Sequence, residues 1–190
     1  ARTKAKELFI TEHGYYLNFS ATEISLVGPK ASGVKGISLK DDQVISATSY
    51  DDTSEYLTVF TNNKTSKRVK LNDLEFHTRA KKGSSLIKKV KSFDYRIIKG
   101  IITNSKDMII LNASDDLKTI KNSDIPIMDL VSTGSTIFKT NIIDAVSMPE
   151  LEDYTQNKKE EPKEISKDLL DKVPEAVQTS FDDFLEDFKI

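Results

Sequence analysis

The same ordered pattern occurs three times along these 190 residues, about fifty residues apart. Each copy opens on an apolar, strand-like run that closes on a small polar residue: Leu8-Phe9-Ile10-Thr11, Leu57-Thr58-Val59-Phe60-Thr61 and Met108-Ile109-Ile110-Leu111-Asn112. Thr11, Thr61 and Asn112 stand 50 and 51 residues apart, and a glycine follows each by 22 residues, at Gly33, Gly83 and Gly134. Four residues past each glycine comes Ile37, Ile87 or Phe138. One such spacing is coincidence; three marker positions held in phase over three copies define a repeat. A period of this length belongs to propellers and arrays, whose units bury their apolar faces only against one another.

Each repeat reads as about four short strands. In the first, Leu8–Thr11 and Tyr15–Phe19 flank the turn His13-Gly14, and Val34–Leu39 and Val44–Ala47 complete the set. The second gives Tyr56–Thr61, Ser66–Leu71, Leu86–Lys91 and Arg96–Ile102; the third gives Met108–Asn112, Leu117–Ile120, Thr136–Thr140 and Ile142–Val146. Strands this short, with turn residues between them, predict an all-β protein: a pinwheel or propeller-like array of four-stranded blades. The repeats run over about 5–51, 52–103 and 104–147, so residues 1–147 form one β domain. Past Met148-Pro149 the chain becomes rich in Glu, Lys, Asp and Pro, which predicts a solvated, mostly disordered acidic tail over 148–190. A short helix is expected over Ile165–Val173. A second is expected near the end, where Phe181, Phe184, Leu185 and Phe188 share one helical face. A chain that opens on Ala1 rather than methionine is expected to be a piece of a longer protein.

Few catalytic groups are available. There is no cysteine, which excludes disulfides and thiolate metal sites, and only His13 and His77 supply imidazole. Phosphate-cradling glycine motifs are absent. Asp41-Asp42, Asp51-Asp52 and Asp115-Asp116 lie between strands, where aspartate serves turns rather than metals. No run of eighteen apolar residues exists to span a membrane.

Charge is the better signal. The net −2 conceals 22 Lys+Arg against 17 Asp+Glu in residues 1–147, and an acidic excess of seven in 148–190. Residues 64–99 carry 12 Lys+Arg against 3 Asp+Glu. Lys64, Lys67, Arg68 and Lys70 sit on a hairpin, Arg79, Lys81 and Lys82 in a loop, and Lys88, Lys89 and Lys91 on the next expected strand. Alternation places Arg68 and Lys70 outward, with Val69 and Leu71 inward. Such one-signed density exceeds what solubility requires and attracts polyanions through phosphate contacts. The competing reading is a basic edge that only deters strand-to-strand aggregation. No aromatic platform interleaves these cations in the sequence, which favours duplex backbone contact over base stacking.

Repeats of this length, with the basic loop Arg79-Ala80-Lys81-Lys82-Gly83 leading into a strand, resemble a known family. It is the C-terminal β-pinwheel domain of the A subunit of bacterial type IIA topoisomerases, DNA gyrase and topoisomerase IV. Val59-Phe60-Thr61-Asn62-Asn63-Lys64 and Gly33-Val34-Lys35-Gly36-Ile37, followed by Leu39-Lys40-Asp41-Asp42-Gln43-Val44-Ile45, are similar to its blade phrases. The resemblance covers about residues 5–147. It implies a non-catalytic, monomeric, cytoplasmic module that binds and bends double-stranded DNA. It further implies a parent that performs ATP-dependent strand passage with Mg and ATP held by other domains, partnered by an ATPase B subunit and by the rest of the A subunit. Gyrase A subunits carry a Gln-Arg-Arg-Gly-Gly-Arg-Gly box that this chain lacks, which favours topoisomerase IV; gyrase and a protein-interaction propeller are the alternatives. The acidic tail is also a candidate mimic of DNA on the basic surface.

Overall fold

The small polar residue at the end of each opening run is placed to close a hairpin turn. In the computed structural model, which describes residues 5–149, β1 (Lys6–Thr11) and β2 (Tyr15–Ser20) are antiparallel, and Thr11 Oγ1 accepts the Tyr15 N–H at 3.1 Å. β3 (Val44–Tyr50) returns along the other side of β1. The second repeat supplies β4 (Tyr56–Thr61), β5 (Thr65–Lys70), a two-residue β6 (Ser84–Ser85) and β7 (Ile97–Thr103). Its corner hydroxyls, Thr61 and Thr65, lie 2.6 Å apart. The third supplies β8 (Met108–Ala113), β9 (Leu117–Lys121), a two-residue β10 (Ser135–Thr136) and β11 (Ile142–Met148). Here β8 runs one residue past Asn112, which is exposed and pairs with Leu117, and the Ala113 N–H closes the turn on Asp116 O at 3.0 Å. Apart from three 3₁₀ turns, no helix occurs among the described residues.

The strands do not sort by repeat. The sheets have the orders β3-β1-β2-β6, β10-β5-β4-β7 and β11-β8-β9, so each of the first two borrows its fourth strand from the repeat that follows. The in-phase glycines make this crossing possible. Gly83 has φ +84°, and a β-carbon there would sit 1.9 Å from the Tyr16 carbonyl oxygen of the preceding hairpin. Only a residue without a side chain brings the backbone that close at positive φ. The residue four places on then fills the preceding unit: Ile87 is buried beside Gly14 of the first hairpin, and the Phe138 ring lies 6.0 Å from that of Phe60.

This corrects three expected strands. Beyond Ser84–Ser85 and Ser135–Thr136, the runs 86–91 and 136–140 form no regular strand, and 34–39 pairs with no strand among the described residues. Leu86, Ile87 and Phe138 plug cores instead of lining a pleat. Two clusters result. One joins Leu8, Ile10 and Tyr16 of the first unit to Leu57, Val59, Leu86 and Ile97; the other joins Phe60 to Ile109, Leu111, Ile125 and Ala145. The described residues all fall in one compact unit. The helices expected over 165–173 and 181–188, and the proposed tail mimicry, lie outside the described residues.

Candidate nucleic-acid interface

Two of the ten cations singled out are structural. β5 is buried on both faces up to Lys70, and residues 123–132 of the third repeat run along its edge: the Arg68 N–H donates to Pro126 O at 2.8 Å and Arg68 O accepts from Met128 at 2.9 Å. Lys67 is 1% exposed, and its Nζ donates to Leu86 O and Leu130 O at 2.7 Å and to Ser132 O at 3.1 Å. Burial pushes its pKa down to about 8, with Asp129 opposing. Arg68, 8% exposed, donates from Nε to Ile125 O at 2.6 Å and stacks over the Tyr56 ring at 4.9 Å. The expectation that Arg68 faces outward, and that Lys67 and Arg68 meet phosphate, is corrected. Their long apolar stems are buried and their charged ends satisfy backbone carbonyls that would otherwise be orphaned.

Arg79 is a third tether. Its N–H donates to Glu23 Oε2 at 2.8 Å, and its guanidinium donates to Glu23 O at 3.1 Å and to Lys35 O. With Ala80 N–H on Gly36 O and Ser38 N–H on Lys81 O, the loop 79–81 is fastened to the first repeat. Lys64 occupies the β4–β5 turn at φ 58° and is half-buried. Lys70, Lys81, Lys82, Lys88, Lys89 and Lys91 are exposed. Among the described residues none of these six pairs with a carboxylate, so a fixed backbone presents uncompensated positive charge.

Part of that charge lines a cleft of about 520 Å³ between the first hairpin and residues 87–96. Tyr15 stands at its centre: Lys82 Nζ lies 3.9 Å and Lys89 Nζ 5.2 Å from its ring centroid. Hydrogen bonds from Lys89 and then Lys82 hold the Tyr15 phenol below its ordinary pKa. Of the three acids that line the cleft, Asp42 accepts the His13 and Gln43 N–H groups at 3.0 and 2.8 Å, Asp94 pairs with Arg96 at 2.7 Å, and Asp41 is exposed. Phe93, 38% exposed, meets Tyr95 edge-on at 4.9 Å on the same cleft. The sequence reading missed Tyr15, Phe93 and Tyr95, and its expectation of cations without aromatics is corrected. Phe93 and Tyr95 follow Lys91 closely enough to have been noticed; Tyr15 is 67 positions from Lys82, and only the strand exchange joins them.

The remaining singled-out groups are local. Asp51 Oδ1 accepts the Thr53 N–H at 2.9 Å, as a turn aspartate should. His77 is packed 5.9 Å from the Tyr16 ring, and its backbone N–H donates to Asn18 O at 2.7 Å. Among the described residues no group of three or more His, Asp or Glu could hold a metal ion, and no helix is long and apolar enough to cross a membrane.

Residues 8–49 and 55–95 match the family described as the DNA gyrase C-terminal domain, beta-propeller. The crystal structure of the C-terminal domain of DNA topoisomerase IV superposes with a TM-score of 0.70 at 30% identity, over 76% of this chain and 47% of that one. The repeat domain belongs to this family over its first two repeats. Its β-pinwheel fold also matches that of the DNA gyrase A C-terminal domain, with a TM-score of 0.67 at 16% identity over 77% of this chain and 51% of the other. By sequence it is 28% identical over 134 residues to the A subunit of DNA topoisomerase 4 from Bacillus subtilis, and 29% over 133 residues to that from Staphylococcus epidermidis. Both alignments cover 70% of this chain, which spans 17% of either relative.

Proposed function

We propose that residues 5–149 are the non-catalytic, duplex-DNA-binding part of the A subunit of a topoisomerase IV, bending DNA and presenting it for strand passage carried out elsewhere in the bacterial enzyme. The observation that carries this reading is the set of exposed, carboxylate-free lysines at the end of β5 (Lys70), beside the loop pinned by Arg79 (Lys81, Lys82) and on the segment after β6 (Lys88, Lys89, Lys91). Groups of this kind grip phosphates without reading bases. The names of the sequence relatives, and the absence of a Gln-Arg-Arg-Gly-Gly-Arg-Gly box, favour topoisomerase IV over gyrase. Metal, ATP and catalytic tyrosine chemistry are assigned to the ATPase partner and to the rest of the A subunit.

The test is the affinity of the chain for a fluorescent duplex across a salt series, against a variant with Lys70→Glu, Lys81→Glu, Lys82→Glu and Lys88→Glu. For every phosphate that the variant no longer grips, the slope of log affinity against log salt should flatten by about 0.9. Duplex affinity that is absent at low salt, or indifferent to both salt and charge reversal, refutes the reading and favours a protein-binding scaffold.

A further inference from the structure

The cleft beside Tyr15 has features that backbone gripping does not use. A surface that only follows phosphates needs cations on a convex rim, whereas here three aromatic rings line a concavity. Its volume, about 520 Å³, lies within the range of small-molecule sites. Two cations sit at one wall over Tyr15; of the three lining acids, Asp42 and Asp94 are engaged with His13 and Arg96, and Asp41 is exposed. The exposed Phe93 ring is backed edge-on by Tyr95, whose hydroxyl accepts from Asn63 Nδ2 at 2.8 Å and whose ring packs on the core. A supported, exposed aromatic face beside paired cations is the arrangement that stacks an unpaired base and holds its phosphate.

We propose that this cleft takes one unpaired nucleotide of the bound DNA, its phosphate between Lys82 and Lys89 and its base against Phe93. The inference rests on the DNA-binding reading above and deepens it. An intact duplex presents only its convex backbone, so it can meet the lysines but not the ring. A nucleotide swung out of a bent or imperfect duplex reaches both. The domain therefore favours DNA that is already distorted, at the second repeat in particular.

The experiment compares the full chain's affinity for a short fluorescent duplex with that for the same duplex carrying one extrahelical thymidine. The bulged duplex should bind between about fivefold and a hundredfold more tightly, the range that stacking one base on an aromatic side chain provides. Phe93→Ala should abolish that preference and leave intact-duplex affinity unchanged, while Phe93→Trp should keep the preference and show indole quenching only with the bulged probe. Equal affinity for the two duplexes in the native chain, or a Phe93→Ala loss shared equally by both, overturns the proposal and leaves backbone binding standing. Failure to bind either duplex overturns both readings. Because Phe93 is exposed, its variants should melt with the parent, which separates a binding loss from a folding loss.

Discussion

Lys67 shows how a residue type misleads when its cover comes from far away. Alternation along β5 correctly predicts that Val69 is buried, and it would leave neighbouring positions to solvent. The edge of the strand is closed by the segment 123–132, whose carbonyls lie 55 to 65 positions on in sequence. No local pattern reports a cover that distant, so Arg68 reads as a surface cation like Lys70, one step past the cover. Lys67 shares the buried face of Val69, and its charge, not its place in the alternation, makes it read as exposed. The ammonium of Lys67 supplies donors to carbonyls from two repeats, which makes it a pin between units. Lys67→Met keeps the apolar stem and relieves the charge of its burial. It also leaves the Leu86 and Leu130 carbonyls without that donor, each costing about 1–3 kcal/mol, while Ser132 O keeps the Lys88 N–H. The losses should exceed the gain, giving a net destabilisation of about 2 kcal/mol in urea unfolding. Lys70→Met, on the exposed end of the same strand, should stay within about 0.5 kcal/mol and should instead weaken DNA affinity.

At the scale of the element, the glycines at 33, 83 and 134 are legible as a repeat and as positions that need positive φ or a close approach to a neighbour; which neighbour they approach is not legible. Spacing shows that something recurs. It does not show that a two-residue strand leaves its own unit and pairs with the hairpin before it. All three glycines hold positive φ, between +81° and +85°, so any L side chain there meets the same backbone strain of roughly 1–2 kcal/mol. They differ in what a methyl group would strike. At Gly83 it meets the Tyr16 carbonyl oxygen at 1.9 Å, at Gly134 the Ser66 carbonyl oxygen at 3.1 Å, and at Gly33 nothing within 4 Å. Alanine substitutions should therefore destabilise in the order 83, 134, 33, with Gly33→Ala costing only the backbone strain of about 1–2 kcal/mol. Thermal melts of the three variants check this. An equal loss at all three positions would mean that conformation alone, and not close approach to the neighbouring unit, fixes the glycines.

For the array, stability should be local and additive, because each unit is fastened only to the next by a borrowed strand and a core plug. The opening strand-like runs, the hairpin corners and the period were visible in the sequence; the exchange was not, since short apolar runs fit several partners equally well. The same exchange leaves the two ends of the described array unlike its interior. Gly33 is already turned to positive φ with no neighbouring unit against it, and Val34 beside it is 40% exposed. At the other end β9 pairs with β8 alone among the described residues, whereas β2 and β5 each have a partner on both sides. Leu117, which opens β9, is 66% exposed. An unpaired edge loses its outward-facing amides to solvent long before a central strand does, so amide hydrogen exchange should rank the three second strands. The outward amides of β9 should exchange at least about tenfold faster than those of β2 and β5 facing Ser84–Ser85 and Ser135–Thr136. Protection of β9 equal to that of β2 would show that its edge is covered in solution and that the array has a further strand there.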